Sequence, residues 1–166
     1  MQLLERSSEP IRMEDLARLA GIARADREDL FRRKPALAAV YRDRLLCVAL
    51  CQGAALHFLN RRNGVKDFDV WSFYKADPRR AFPPRRNVHH DFADPRFGVS
   101  PDRPDFAGRR VDLIGRSIPW LPGQTPVQAL REYLRWSRAK SPRLLAKKAV
   151  VVLEPEEEIG NVIWPV

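Results

Sequence analysis

A chain of 166 residues is long enough for one domain with a substantial core and short for two independent ones. Hydrophobic residues make up 45%, no run approaches the ~18 apolar residues of a membrane span, and the opening MQLLERSSEP lacks the apolar core of a signal peptide, so a cytoplasmic protein with no membrane role is expected. The formal net charge of +9, with 24 of the 30 basic residues arginine, favours polyanionic partners without choosing among them. Genomic base composition alone would also enrich arginine.

Residues 1–44 read as a helical extension packed on the core. Met13 to Ala20 is periodic, Gly21 interrupts, Asp26 to Arg33 continues, and Pro35 starts a third segment through Tyr41. Leu16-Ala17-Arg18-Leu19-Ala20-Gly21-Ile22 resembles the first helix and turn of a DNA-binding helix-turn-helix, although Arg27 falls where the next helix would carry an apolar residue. A helical hairpin against the core is the plainer reading.

From Leu45 the pattern is strand, helix, strand. The apolar run Leu45 to Leu50 ends at Gln52-Gly53, Ala54 to Arg62 forms a helix, and Asn63-Gly64 turns the chain into Phe68 to Tyr74. Cys47 and Cys51, about 13 Å apart on an extended strand, are reduced, buried thiols rather than a disulfide. Two cysteines also fall short of a structural zinc site. In Asp67-Phe68-Asp69-Val70 the two acids project to one face and the two apolar residues to the other. Arg110-Val111-Asp112-Leu113-Ile114 offers another strand with one acid among apolar neighbours. If it lies beside the first acidic strand, three carboxylates converge.

Between these strands, residues 75–108 hold six of the 14 prolines and several arginine pairs, which predicts a long basic loop. Arg79-Arg80 and Arg85-Arg86, with Phe82 between them, could track a phosphate backbone; a solvated loop with a few anchoring aromatics fits the same residues. His89-His90-Asp91 is a poor metal site, because adjacent histidines diverge on an extended chain. His57 reads as a core-edge residue rather than a base. Further on, Thr125 caps a helix with Pro126 in its first turn, Pro142 to Lys148 forms a short helix, and Ala149 to Leu153 is a buried strand. Val162-Ile163-Trp164 docks back on the domain.

Gly53 with a small neighbour at a strand–helix junction, then Asp67-Phe68-Asp69, then the distant Asp112, resembles the nucleotidyltransferase fold of the DNA polymerase β superfamily. The resemblance covers roughly residues 45–116 and is closest to small stand-alone members related to abortive-infection toxins. It implies an α/β (α+β) fold over residues 45–166, a small mixed sheet flanked by helices. It also implies two Mg²⁺ ions held by Asp67, Asp69 and Asp112, with a nucleoside triphosphate as substrate and RNA, a protein or a small molecule as acceptor. Gly53, Ala54 and Ala55 would present backbone amides to phosphate, with Arg116, Lys147 and Lys148 as candidate phosphate contacts. The family usually has Gly-Ser or Gly-Gly where this chain has Gly53-Ala54, so one hydroxyl ligand is missing. Three other readings stay open: a non-catalytic member that binds nucleotide or nucleic acid, a DNA-binding regulator led by the N-terminal helices, and three acids lining a solvated sheet edge. Oligomeric state is not indicated.

Overall fold

The computed structural model describes residues 5–83 and 87–166. Among them, six strands form a single sheet: β1 (Leu45–Cys51), β2 (Phe68–Lys75), β3 (Asn87–Asp91), β4 (Arg110–Ile118), β5 (Ala149–Glu154) and β6 (Val162–Trp164). Their order is β3-β4-β2-β1-β5-β6. Only β2 and β4 pair in parallel; the other neighbours are antiparallel. Helices α1 (Met13–Arg33), α2 (Pro35–Tyr41), α3 (Gln52–Asn60), α4 (Pro126–Trp136) and α5 (Lys140–Leu145) flank the sheet. The chain is therefore a mixed α+β fold.

Period-two alternation sorts the core into two layers. Val48 and Leu50, Phe68 and Val70, Val111 and Leu113 face Leu16 and Leu19 of α1 and Ala54 and Ala55 of α3. Ala49 and Cys51, Trp71 and Phe73, Val150 and Val152 face Leu130 and Leu134 of α4 and Leu145 of α5. A central strand covered on both sides must be apolar throughout, which is why β1 reads LLCVALC. Leu16 and Leu19 are fully buried, and truncating either to Ala would cost about 2–5 kcal/mol.

Helix ends follow local chemistry. The Asp15 carboxylate accepts from the Arg12 amide at 2.7 Å at the start of α1, and Arg32 and Arg33 sit in its last turn, where positive charge suits the helix dipole. Thr125 accepts from the Gln128 amide at the start of α4, with Pro126 in the first turn.

Three expectations need correction. Gly21 does not interrupt α1, which runs from Met13 to Arg33, so the turn of a helix-turn-helix is not formed there. One mid-helix glycine costs roughly 1 kcal/mol, which the buried Leu16, Leu19, Leu30 and Phe31 outweigh. Helix α3 begins and ends two residues earlier than the turn signals indicate. The stretch 75–108 is not wholly loop: it contains β3, which completes the sheet edge against β4, and a 3₁₀ turn at Pro95–Phe97. Phe82, Phe92 and Phe97 anchor it in the interior.

Candidate functional site

The parallel ladder between β2 and β4 places Asp69 directly opposite Asp112. Asp67 immediately precedes β2, and one carboxylate oxygen from each of Asp67, Asp69 and Asp112 lies within 4.8 Å of the other two. The convergence expected from the two acidic strands is thus realised. It sits at the end of the sheet where β1 turns into α3, because Cys51 pairs with Asp69.

This acidic cluster is half-buried to buried, and its electrostatics follow from that. Burial, reinforced by the charges of Asp67 and Asp112, pushes Asp69 up to about 7. Burial also raises Asp112, against the opposing pull of Arg110. Arg110 is the main local counter-charge: its guanidinium is 2.7 Å from Asp67 Oδ2 and 2.8 Å from Asp112 Oδ1, and it also pairs with Asp102. His89 Nε2 on β3 stands 3.4 Å from Asp112 Oδ1. His90 points the other way, toward Asp26 at 3.5 Å, so the two histidines diverge as expected.

Once ionised, the three carboxylates outnumber the one guanidinium bonded among them in a poorly solvated place, and burial raises Asp69 and Asp112 for want of the positive charge a divalent cation would supply. Oxygen-only donors suit a hard ion such as Mg²⁺. Asp67, Asp69 and Asp112 therefore fit a divalent metal, provided Arg110 yields the oxygens it shares. Arg109, one residue earlier, is fully buried and donates to the carbonyls of Phe97 (2.8 Å) and Lys66 (3.3 Å), which fixes the backbone just ahead of Asp67.

Gly53 lies beside the cluster in the first turn of α3, where no side chain caps the helix. Gln52 takes a left-handed φ of 63° to turn the strand into the helix. A Cβ on residue 53 would stand 2.9 Å from Asn63 Nδ2, which donates to the Gly53 carbonyl at 2.9 Å, so glycine is the residue that fits. Around the same point lie Arg6 Nη1 at 3.7 Å and Lys148 Nζ at 3.8 Å. The side chains of Ala54 and Ala55 are buried in the core, leaving only their backbone for a ligand.

Of the candidate residues, Asp67, Asp69, Asp112, Gly53 and Lys148 come together. Arg116 does not: it is four residues beyond Asp112, about 13 Å along β4, over the Trp71 ring and bonded to Tyr133. Lys147 is exposed and lines a separate groove by α5. Arg85 and Arg86 lie outside the described residues, and Arg79 is paired with Asp77. His57 is fully buried, donating to Glu9 O at 3.0 Å and accepting from the Gly64 amide at 2.9 Å, a structural role.

Arg110, His89 and Arg6 were missed as site residues. Arg110 had a signal, since residues i and i+2 of a strand share a face and Asp112 was already placed. His89 and Arg6 depend on tertiary placement alone.

No family model matches this chain, and no curated protein or solved structure matches it either.

Proposed function

We propose that this chain is a nucleotidyltransferase-like protein that binds a Mg²⁺–nucleoside triphosphate and transfers the nucleotide to an acceptor hydroxyl. The observation that carries this reading is the convergence of Asp67, Asp69 and Asp112 beside the uncapped, glycine-containing start of α3. The acids lie at the same end of the sheet as the start of α3, with Arg6 and Lys148 around Gly53, which supports a joint site for metal and triphosphate.

Asp67, Asp69 and Asp112 would hold the metal. When bound, it neutralises phosphate charge and lowers the pKa of the attacking hydroxyl. In the transfer, the hydroxyl would lose its proton to solvent as its oxygen bonds to the α-phosphorus, the bond from that phosphorus to the α,β-bridging oxygen would break, and pyrophosphate would leave with the bond's electron pair. Arg6 and Lys148, which lie around Gly53, and the first amides of α3 would take the phosphate tail and favour the charge of the leaving group.

Binding without transfer is the second reading. It is favoured by Arg110, which already occupies part of the acidic cluster, and by Ala54, which has no hydroxyl. Calorimetric titration with the four nucleoside triphosphates, with and without Mg²⁺, tests both readings against the Asp67→Ala/Asp69→Ala variant. Metal-dependent binding lost in the variant supports the acidic cluster, and labelled product on an acceptor screen then separates transfer from binding. No binding under any condition refutes both.

A further inference from the structure

Between Glu132 and Glu154 the chain carries six basic residues (Arg135, Arg138, Lys140, Arg143, Lys147 and Lys148) and no acid. Five of them, all but Lys148, are exposed, and none of these five forms an ion pair with a described acid. They do not scatter over the surface. Arg135, Arg138, Arg143 and Lys147 border one open groove of about 610 Å³ with Trp136. A contiguous groove of about 280 Å³ continues past Lys140 and Leu144.

Trp136 decides what kind of polyanion fits. It ends α4 with 72% of its surface exposed, while Leu134 and Leu130 of the same helix are buried. An exposed indole on the lining it shares with Arg135, Arg138 and Arg143 offers a planar apolar face for stacking beside cations for phosphate. The helix dipole at the end of α4 accounts for one or two cations there, not for five along the groove. A membrane-binding face would need a broader apolar stripe than Trp136 and Leu144 supply. A duplex keeps its bases stacked and cannot use the indole.

We infer that the groove between α4 and α5 binds single-stranded nucleic acid, with Arg138, Arg143 and Lys147 on the phosphates and Trp136 stacked on a base. This binding does not depend on the acidic cluster. Lys148, next to Lys147 in sequence, lies outside this groove, with its Nζ 3.8 Å from where a Cβ on Gly53 would stand.

The test is fluorescence anisotropy of a labelled mixed-sequence RNA oligomer and its DNA equivalent, titrated with the full chain over a series of salt concentrations. Wild-type protein is expected to bind with a steep salt dependence, and Arg138→Glu/Arg143→Glu to flatten it and weaken binding at least ~10-fold. Trp136→Ala is expected to cost roughly 5- to 100-fold, with Trp136→Phe recovering most of it. Asp67→Ala/Asp69→Ala should bind like wild type, which separates this site from the metal centre. Circular dichroism confirms that these surface variants fold. Equal binding of duplex and single strand with no effect of Trp136→Ala overturns the inference in favour of a general polyanion surface. Binding to anionic phospholipid vesicles but not to oligomers overturns it in favour of a membrane surface.

Discussion

Arg110 Nη2, at the start of β4, donates to Asp67 Oδ2, just ahead of β2, at 2.7 Å, while the same guanidinium contacts Asp112 at 2.8 Å. One cation therefore bridges two of the three carboxylates that would take a metal. It holds the cluster together in the metal-free protein and competes for the same oxygens. Arg110→Met should destabilise the metal-free chain by about 2–3 kcal/mol, since it strands partly buried carboxylates. It should also tighten Mn²⁺ binding. Thermal denaturation and calorimetry with Mn²⁺ measure the two effects; weaker Mn²⁺ binding in the variant would mean that Arg110 assembles the site rather than occupying it.

Asp69 supplies the pH dependence. Burial first, then the charges of Asp67 and Asp112, push it up to about 7, above its ordinary value of 3.8. The folded protein thus holds this proton more tightly than the unfolded chain does. The resulting stabilisation is present below about pH 4 and is lost as pH rises through about 7. A metal binds the ionised form, so its dependence has the opposite sign. Mn²⁺ affinity should fall by up to ~10-fold per pH unit below 7, with about one proton released per ion bound at pH 6 and few at pH 8. Calorimetry in buffers of different ionisation enthalpy counts those protons, and Asp69→Asn should lower the release, leaving only what Asp112 contributes.

Much of the cluster was readable because strands have a simple period. Asp67, Asp69 and Asp112 sit among apolar residues that must face a core, so their own faces follow once the strands are recognised. The β2–β4 pairing is a tertiary choice, made by a crossover through residues that look like loop. Edge strand β3 was hidden for a related reason: NVHHD has one apolar residue and so lacks an apolar signature. Gly21 misled because a breaker signal is local, whereas the burial of Leu16, Leu19, Leu30 and Phe31 that overrides it is not. Of the groove cations the sequence singled out only Lys147, because Arg135, Arg138 and Arg143 join it only once α4 and α5 are placed.

The segment after β2 is anchored by a close fit that can be tested. A Cβ on Gly115 of β4 would lie 2.3 Å from Phe82 Cε1. The Phe82 ring has little room to yield, being stacked on Tyr74 with centroids 4.4 Å apart and edge-on to Tyr41 at 5.2 Å. Gly115→Ala should therefore cost about 2 kcal/mol. In a double-mutant cycle with Phe82→Ala the two losses should be clearly less than additive, because removing the ring removes the clash. Additive losses in thermal or urea denaturation would place the strain elsewhere.

Cys47 and Cys51 offer a readout of metal binding that needs no catalysis. Both thiols are buried in β1, unpaired and raised above the ordinary thiol value by burial, so neither should react with iodoacetamide in the native state at pH 8. Since β1 is the central strand between β2 and β5, exposing its thiols requires the core to open. In mild urea, labelling should then track the population of opened molecules. A ligand bound only to the folded state lowers that population by 1 + [L]/Kd, so Mn²⁺ at 100 times its Kd should slow labelling roughly 100-fold. The protection should vanish in Asp67→Ala/Asp69→Ala. Mass spectrometry of labelled protein over time measures the rate, and protection that persists in the variant would place the metal somewhere other than the acidic cluster.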